Sequence, residues 1–180
     1  YHFPNDSADS TSPSPLPPKV LPLSEEIANS TPPTPLPAPD SAPSLPLSSV
    51  TSFASLTGLT EIKGSLRVSQ QIGLGSFTGL ENLTRIGNHL EISHCLAPSF
   101  QGFDSLTEIG GNFYVNAGYN FYDFAGLENL ETIGGAMDIN HSDSLTSMDG
   151  LDSLAQVSGM ITLWGNDELL VLSGFSNLTQ

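Results

Sequence analysis

Apolar residues return along the later part of the chain in a fixed order. The first slot of that order is filled by Phe53, Phe77, Phe100, Phe124, Met148 and Leu172, with spacings of 24, 23, 24, 24 and 24 residues. Three residues later come Leu56, Leu80, Phe103, Leu127, Leu151 and Phe175, and three later again Leu59, Leu83, Leu106, Leu130, Leu154 and Leu178. Ile62, Ile86, Ile109, Ile133 and Val157 follow, then a glycine-rich corner such as Ile109-Gly110-Gly111, then an alternating pair. That pair is Leu66/Val68, Leu90/Ile92, Phe113/Val115, Met137/Ile139 and Ile161/Leu163. A seventh slot holds Leu74, Phe121, Leu145 and Leu169 and is blurred in the second coil, which has lost a residue. A sustained period of this kind marks a repeat architecture in which no unit buries its apolar face alone.

Spacing of three through the first slots is compatible with an amphipathic helix, but the glycine corner stops it after a few turns. The period-two pair beyond the glycines reads as a short strand with one buried face. A coil that turns at glycine and stacks on its copies satisfies both signals. Coils roughly 4.8 Å apart with in-register strands convert each slot into an internal column. The predicted fold is therefore mainly β, a parallel β-solenoid of about five 24-residue coils. The sixth coil stops at Gln180, so an open edge, prone to fraying or to end-to-end association, is expected there.

Composition divides the chain near residue 50. Thirteen of the fourteen prolines, Pro4 to Pro46, precede that point, and all seventeen glycines, Gly58 to Gly174, follow it. Residues 1–50 read as a disordered Pro/Ser/Thr-rich stalk or linker and 51–180 as the solenoid. Runs such as Pro13-Ser14-Pro15-Leu16-Pro17-Pro18 favour polyproline II, which extends at roughly 3.1 Å per residue. Their PxxP-like spacing also admits a ligand for proline-binding domains.

Charge narrows the partners. Nineteen acids against four bases give a formal charge of −15, and no Lys or Arg follows Arg85. The acids from Glu91 to Glu168 are thus unopposed, which argues against nucleic acid and anionic membranes and admits cationic partners. Cys95 is the only cysteine, so neither an intrachain disulfide nor a cysteine-based zinc site can form. No apolar run approaches the ~20 residues that span a bilayer, so no membrane insertion is expected within this segment.

The string Gly-Leu-Glu-Asn-Leu-Glu-Thr-Ile-Gly-Gly-Ala-Met-Asp-Ile-Asn, Gly126 to Asn140, resembles the repeats of receptor L domains. These are leucine-rich-repeat-like right-handed β-helices of insulin and epidermal growth factor receptor ectodomains, and fungal GPI-anchored cell-wall proteins carry similar repeats. The resemblance covers residues 53–180 and rests on five copies of F/LxGLxxLxxIGGxLxI. It implies a right-handed coil; a place outside the cell, at its surface or in its wall, is expected from the Asn-x-Ser/Thr sequons and the Ser/Thr/Pro-rich stalk. The family pattern sets Asn three residues after the second strand residue. Here that slot holds Gln71, Cys95, Gly118, Ser142 and Asn166, of which only Asn166 matches, and Cys95 reads as a buried small residue in place of Asn.

Strand residues pointing outward line up in three columns on a broad face. Ser65, His89, Asn112, Ala136 and Met160 form one; Arg67, Glu91, Tyr114, Asp138 and Thr162 the second; Ser69, Ser93, Asn116, Asn140 and Trp164 the third. Such a face is the usual interaction surface of a solenoid. Its candidate ligand-binding residues are Glu91, Tyr114, Asp138 and Trp164, with Tyr119 and Tyr122 on the nearby loop. The competing expectation is that Tyr119 and Tyr122 only pack over the loop and that Trp164 covers the C-terminal edge.

Elsewhere Glu61, Arg85 and Glu108 share an outward column and aid register. Glu81, Asp104, Glu128 and Asp152 stack like charges, which either the first turn of a short helical segment or a calcium ion would accommodate, although no DxDxDG or GGxGxD loop is present. His94 and His141 share a column two coils apart. Neither GxSxG, HExxH, a P-loop nor GxGxxG occurs, and no enzyme activity or cofactor is expected. Sequons stand at Asn5, Asn29, Asn82, Asn140 and Asn177, all at expected surface positions. The expected function is extracellular recognition or adhesion, with a protein or glycan held on the broad face. The alternative is a structural cell-wall or surface-layer component assembled through solenoid stacking.

Overall fold

A computed structural model describes residues 19–21, 50–116 and 118–179. Asn5, Asn29 and the remainder of the Pro/Ser-rich segment read as a stalk lie outside the described residues. Each coil opens on a serine or aspartate whose oxygen faces the N–H two residues on, as Asp123 Oδ1 does for Ala125 at 3.0 Å. This local bond sets the turn without help from a helix. A glycine follows the turn: Gly79, Gly102, Gly126 and Gly150 have φ between +98° and +112°. A Cβ at these positions would lie 1.9–2.3 Å from a phenylalanine carbonyl oxygen of the preceding coil, so only glycine lets the backbones approach.

Beyond the glycine each coil contributes two strands separated by the second glycine corner. The strands are β1 (Lys19–Leu21), β2 (Leu59–Ile62), β3 (Leu66–Ser69), β4 (Arg85–Ile86), β5 (Leu90–Ser93), β6 (Glu108–Ile109), β7 (Phe113–Asn116), β8 (Thr132–Ile133), β9 (Met137–Asn140), β10 (Gln156–Val157) and β11 (Ile161–Trp164). They form a narrow sheet ordered β1-β2-β4-β6-β8-β10 and a broad sheet ordered β3-β5-β7-β9-β11. All pairs are parallel and in register across the repeats, as in Leu66↔Leu90, Leu90↔Phe113, Phe113↔Met137 and Met137↔Ile161. The chain is a parallel β-solenoid of about four turns. Its helix among the described residues is limited to two single 3-10 turns, Ala54–Leu56 and Ser173–Phe175.

Within the segment read as a spacer, β1 pairs with β2, matching Val20 to Glu61 and Leu21 to Ile62. Pro17, Pro18 and Pro22 bracket this short Lys-Val-Leu stretch, and an edge position is where a strand tolerates such neighbours.

Like side chains meet rung over rung inside the coil. Phe53, Phe77, Phe100 and Phe124 stack as a spine, with successive centroids 6.2, 5.9 and 5.3 Å apart and rings within 16° of parallel. Leu80, Leu83, Ile86, Leu90, Leu106 and Leu130 are fully buried. The blurred seventh slot of the second coil is filled by the buried Ala97. Because Cys95 and Gly118 hold one slot and Ala97 and Phe121 the next, the missing residue falls between Cys95 and Ala97. On the last described rung Val157, Ile161 and Leu163 are only partly buried, whereas Leu59 and Ile62 on the first repeat rung are 1% and 3% exposed.

Candidate functional site

The polar side chains of the narrow side are engaged in stacking. Thr84 Oγ1 donates to Thr60 O at 3.0 Å and Thr107 Oγ1 to Thr84 O at 3.1 Å, each reaching one coil back. Asn82 and Asn129 side-chain amides donate to the carbonyls of Thr57 and Asp104, both at 2.7 Å, and Asn177 does the same to Asp152. Arg85 lies 3.1 Å from Glu61 and 3.1 Å from Glu108, bridging three rungs as its column suggests. The Glu108 hydrogen bond and charge, seconded by Glu61, hold its guanidinium above its ordinary pKa.

The stacked acids have a local explanation. Glu81 accepts the Gly79 N–H at 2.9 Å, Asp104 that of Gly102 at 3.1 Å, and Glu128 that of Gly126 at 3.0 Å. No helix runs through these positions, so the compensating dipole is the amide of the tight glycine turn and not a helical first turn. Among the described residues, no group of three or more His, Cys, Asp or Glu side chains is placed to hold a metal ion.

Broad-sheet columns divide differently. The first is engaged: Ser65 Oγ accepts the His89 N–H at 3.2 Å, His89 Nδ1 that of Asn112 at 2.9 Å, and Asn112 Oδ1 that of Ala136 at 2.8 Å. Asn112 also donates through Nδ2 to the Tyr114 hydroxyl, fixing that ring on the sheet. In the second column Arg67 pairs with Glu91 at 3.2 Å. Asp138, paired in register with Tyr114 and Thr162, has no ion pair or side-chain hydrogen bond among the described residues.

A shallow depression of about 480 Å³ lies over these strands and brings Glu91, Tyr114 and Asp138 together, with Asn140 and His94 on its border. His94 owes its outward position to a left-handed backbone, φ 52°, where the chain leaves the broad sheet; Gln70 and His141 turn the same way at 56° and 53°. Trp164, Tyr119 and Tyr122 do not line the depression. Trp164 is 64% exposed on the outermost rung, with the His141 ring edge-on at 4.4 Å. Tyr119 and Tyr122 are about half exposed, and Tyr119 sits edge-on to His94 at 6.2 Å.

Under the turn that follows the broad sheet runs a broken polar column. Gln71 Nε2 donates to Ser69 O at 2.8 Å, and Asn166 donates to Ile139 O at 2.8 Å while accepting the Ser142 N–H at 2.9 Å. At Gly118 the column has no side chain, since a Cβ there would lie 2.3 Å from the Phe121 ring. Cys95 is fully buried in it, and that burial pushes its thiol pKa up.

The sequons take on a second meaning here. Asn82 and Asn177 already use their amides across coils, and Asn129 does so with no sequon at all. At the third described sequon, Asn140 Oδ1 and Ser142 Oγ are buried without a partner. The signal that could have disclosed these bonds is the recurrence of Asn or Ser one residue before the Leu59/Leu83 slot and of Thr one residue after it.

The geometry defines a parallel β-solenoid with one side largely engaged in coil stacking and one face carrying exposed aromatic groups and, among the described residues, the unpartnered Asp138. No family model, curated protein or solved structure matches the chain. Among the described residues, no helix is long and apolar enough to cross a membrane.

Proposed function

We propose that this chain is a non-enzymatic recognition module of the cell exterior, cell surface or cell wall, which holds a protein or glycan partner on its broad β-face. The observation that carries the reading is the depression in which Tyr114 stands between Glu91 and the unpartnered Asp138 on a rigid, registered sheet. A half-buried aromatic held by a neighbouring amide presents area with little conformational entropy left to lose, as binding anchors do. Exposed Trp164 on the same face extends the contact surface. The receptor-L-like repeat pattern supports the same reading and the extracellular placement.

Glycan and peptide arrays probed with the wild-type chain test it. Tyr114→Ala and Trp164→Ala are expected to weaken retained ligands at least about tenfold, with the melting temperature unchanged. A chain that binds nothing on either array, or whose binding survives both substitutions, overturns the reading. A second reading, assembly by end-to-end stacking, draws on the exposure of Leu170, Val171 and Leu172. It predicts light scattering that rises with concentration, and a monomer throughout removes it.

A further inference from the structure

We infer that the broad-face depression receives an arginine side chain from a protein partner. This deepens the recognition reading and rests on it. Two columns of the same repeat stand in contrast, the broad-sheet one starting a rung later than the narrow-sheet one. On the narrow sheet, Glu61, Arg85 and Glu108 follow one another in register, and the central guanidinium bonds both acids at 3.1 Å. On the broad sheet, Glu91, Tyr114 and Asp138 follow one another in register in the same way. Here the central position holds an aromatic plate, so the column is acid, ring, acid, without the cation that completes its counterpart.

Among the described residues, no Lys or Arg is paired with Asp138. No Lys or Arg follows Arg85, and the broad sheet's Arg67, three rungs from Asp138, is already placed on Glu91 at 3.2 Å. Asp138 is therefore an acceptor without a partner among the described residues, beside a ring whose π-face is negative. A ligand that answers both brings positive charge and several donors at once.

Arginine does so better than lysine or a neutral sugar. Its planar fork presents paired N–H donors to a carboxylate, stacks on an aromatic face, and gives up hydration more readily than an ammonium. A sugar hydroxyl interleaves donors and acceptors and leaves the Asp138 charge unopposed. The formal charge of −15 adds a long-range attraction for a basic segment, sensitive to salt.

An ¹⁵N NMR titration to millimolar peptide provides the test. The probes are a Gly/Ser peptide carrying two arginines and its lysine and citrulline counterparts. The arginine peptide is expected to shift the amides of Glu91, Tyr114 and Asp138, with citrulline weaker by at least about tenfold and lysine between them. Asp138→Asn, isosteric and neutral, should cost a similar factor with unchanged thermal unfolding. Glu131→Gln, which removes the same charge from the narrow side, should leave affinity as it is. Equal binding of arginine and citrulline peptides, or equal losses for Asp138→Asn and Glu131→Gln, overturns the inference. Neutral glycans bound through Tyr114 by a chain that ignores the arginine peptide would end this inference and leave the recognition reading standing. No binding of any probe would end both.

Discussion

The narrow and broad sheets rise on the same rungs, from the same repeat, yet their outward side chains do different things. On the narrow side, Asn82, Asn129, Thr84 and Thr107 reach one coil back to carbonyls, and Arg85 closes on two acids. On the broad side the first column is so engaged and Arg67 pairs with Glu91 in the second, while Asp138 has no partner among the described residues and Trp164 is largely exposed beside His141. Regular stacking requires cross-coil bonds on some side of the coil but not on every side. Once one side carries them, another is left to vary without loosening the scaffold.

Four substitutions test that division. Leu130→Ala, buried between the two sheets, should cost about 2–5 kcal/mol in denaturant unfolding and weaken both faces together. If it spared either face, the two would not share one core. Asn129→Ala on the narrow side should cost about 1 kcal/mol by the same assay and leave ligand binding as it was. Arg85→Gln should cost no more than about 1 kcal/mol, and less at high salt, because the pair network is largely solvent-exposed. Asp138→Asn should change stability by less than about 0.5 kcal/mol while weakening arginine-peptide binding at least about tenfold. A broad-face substitution that lowered stability as much as Asn129→Ala would dissolve the contrast.

Much of this architecture is legible in the chain. The Phe53-to-Phe124 spine, the alternating Leu90/Ile92 and Met137/Ile139 pairs, and the Glu61, Arg85, Glu108 column stand where the spacing puts them. Periodicity discloses what repeats, because a buried column demands the same kind of residue each time. Less legible are bonds whose partners lie about 25 residues away. Asn82 reads as a sequon and only the fold shows its amide on Thr57, while Ser65, His89 and Asn112 read as outward residues although each accepts a backbone N–H from the next coil. β1 escapes because a Lys and two apolar residues among prolines carry no period. The acids of the Gly turns are visible as a column, but the amide each one meets is a matter of local geometry. At the candidate site, Glu91, Tyr114 and Asp138 gather as the column predicts, whereas Trp164, Tyr119 and Tyr122 lie apart from the depression.

The residue missing between Cys95 and Ala97 has an implication for how such a chain can change. Every internal column continues through that coil undisturbed, with Ala97 still buried and Phe100 and Phe103 still in place. Length is therefore negotiable at the bend after the broad strand, and the equivalent bend one coil on bears Tyr119 and Asn120. Evolution or an engineer could graft a longer loop there, beside the proposed binding face, and reshape that face while the rungs keep their pitch.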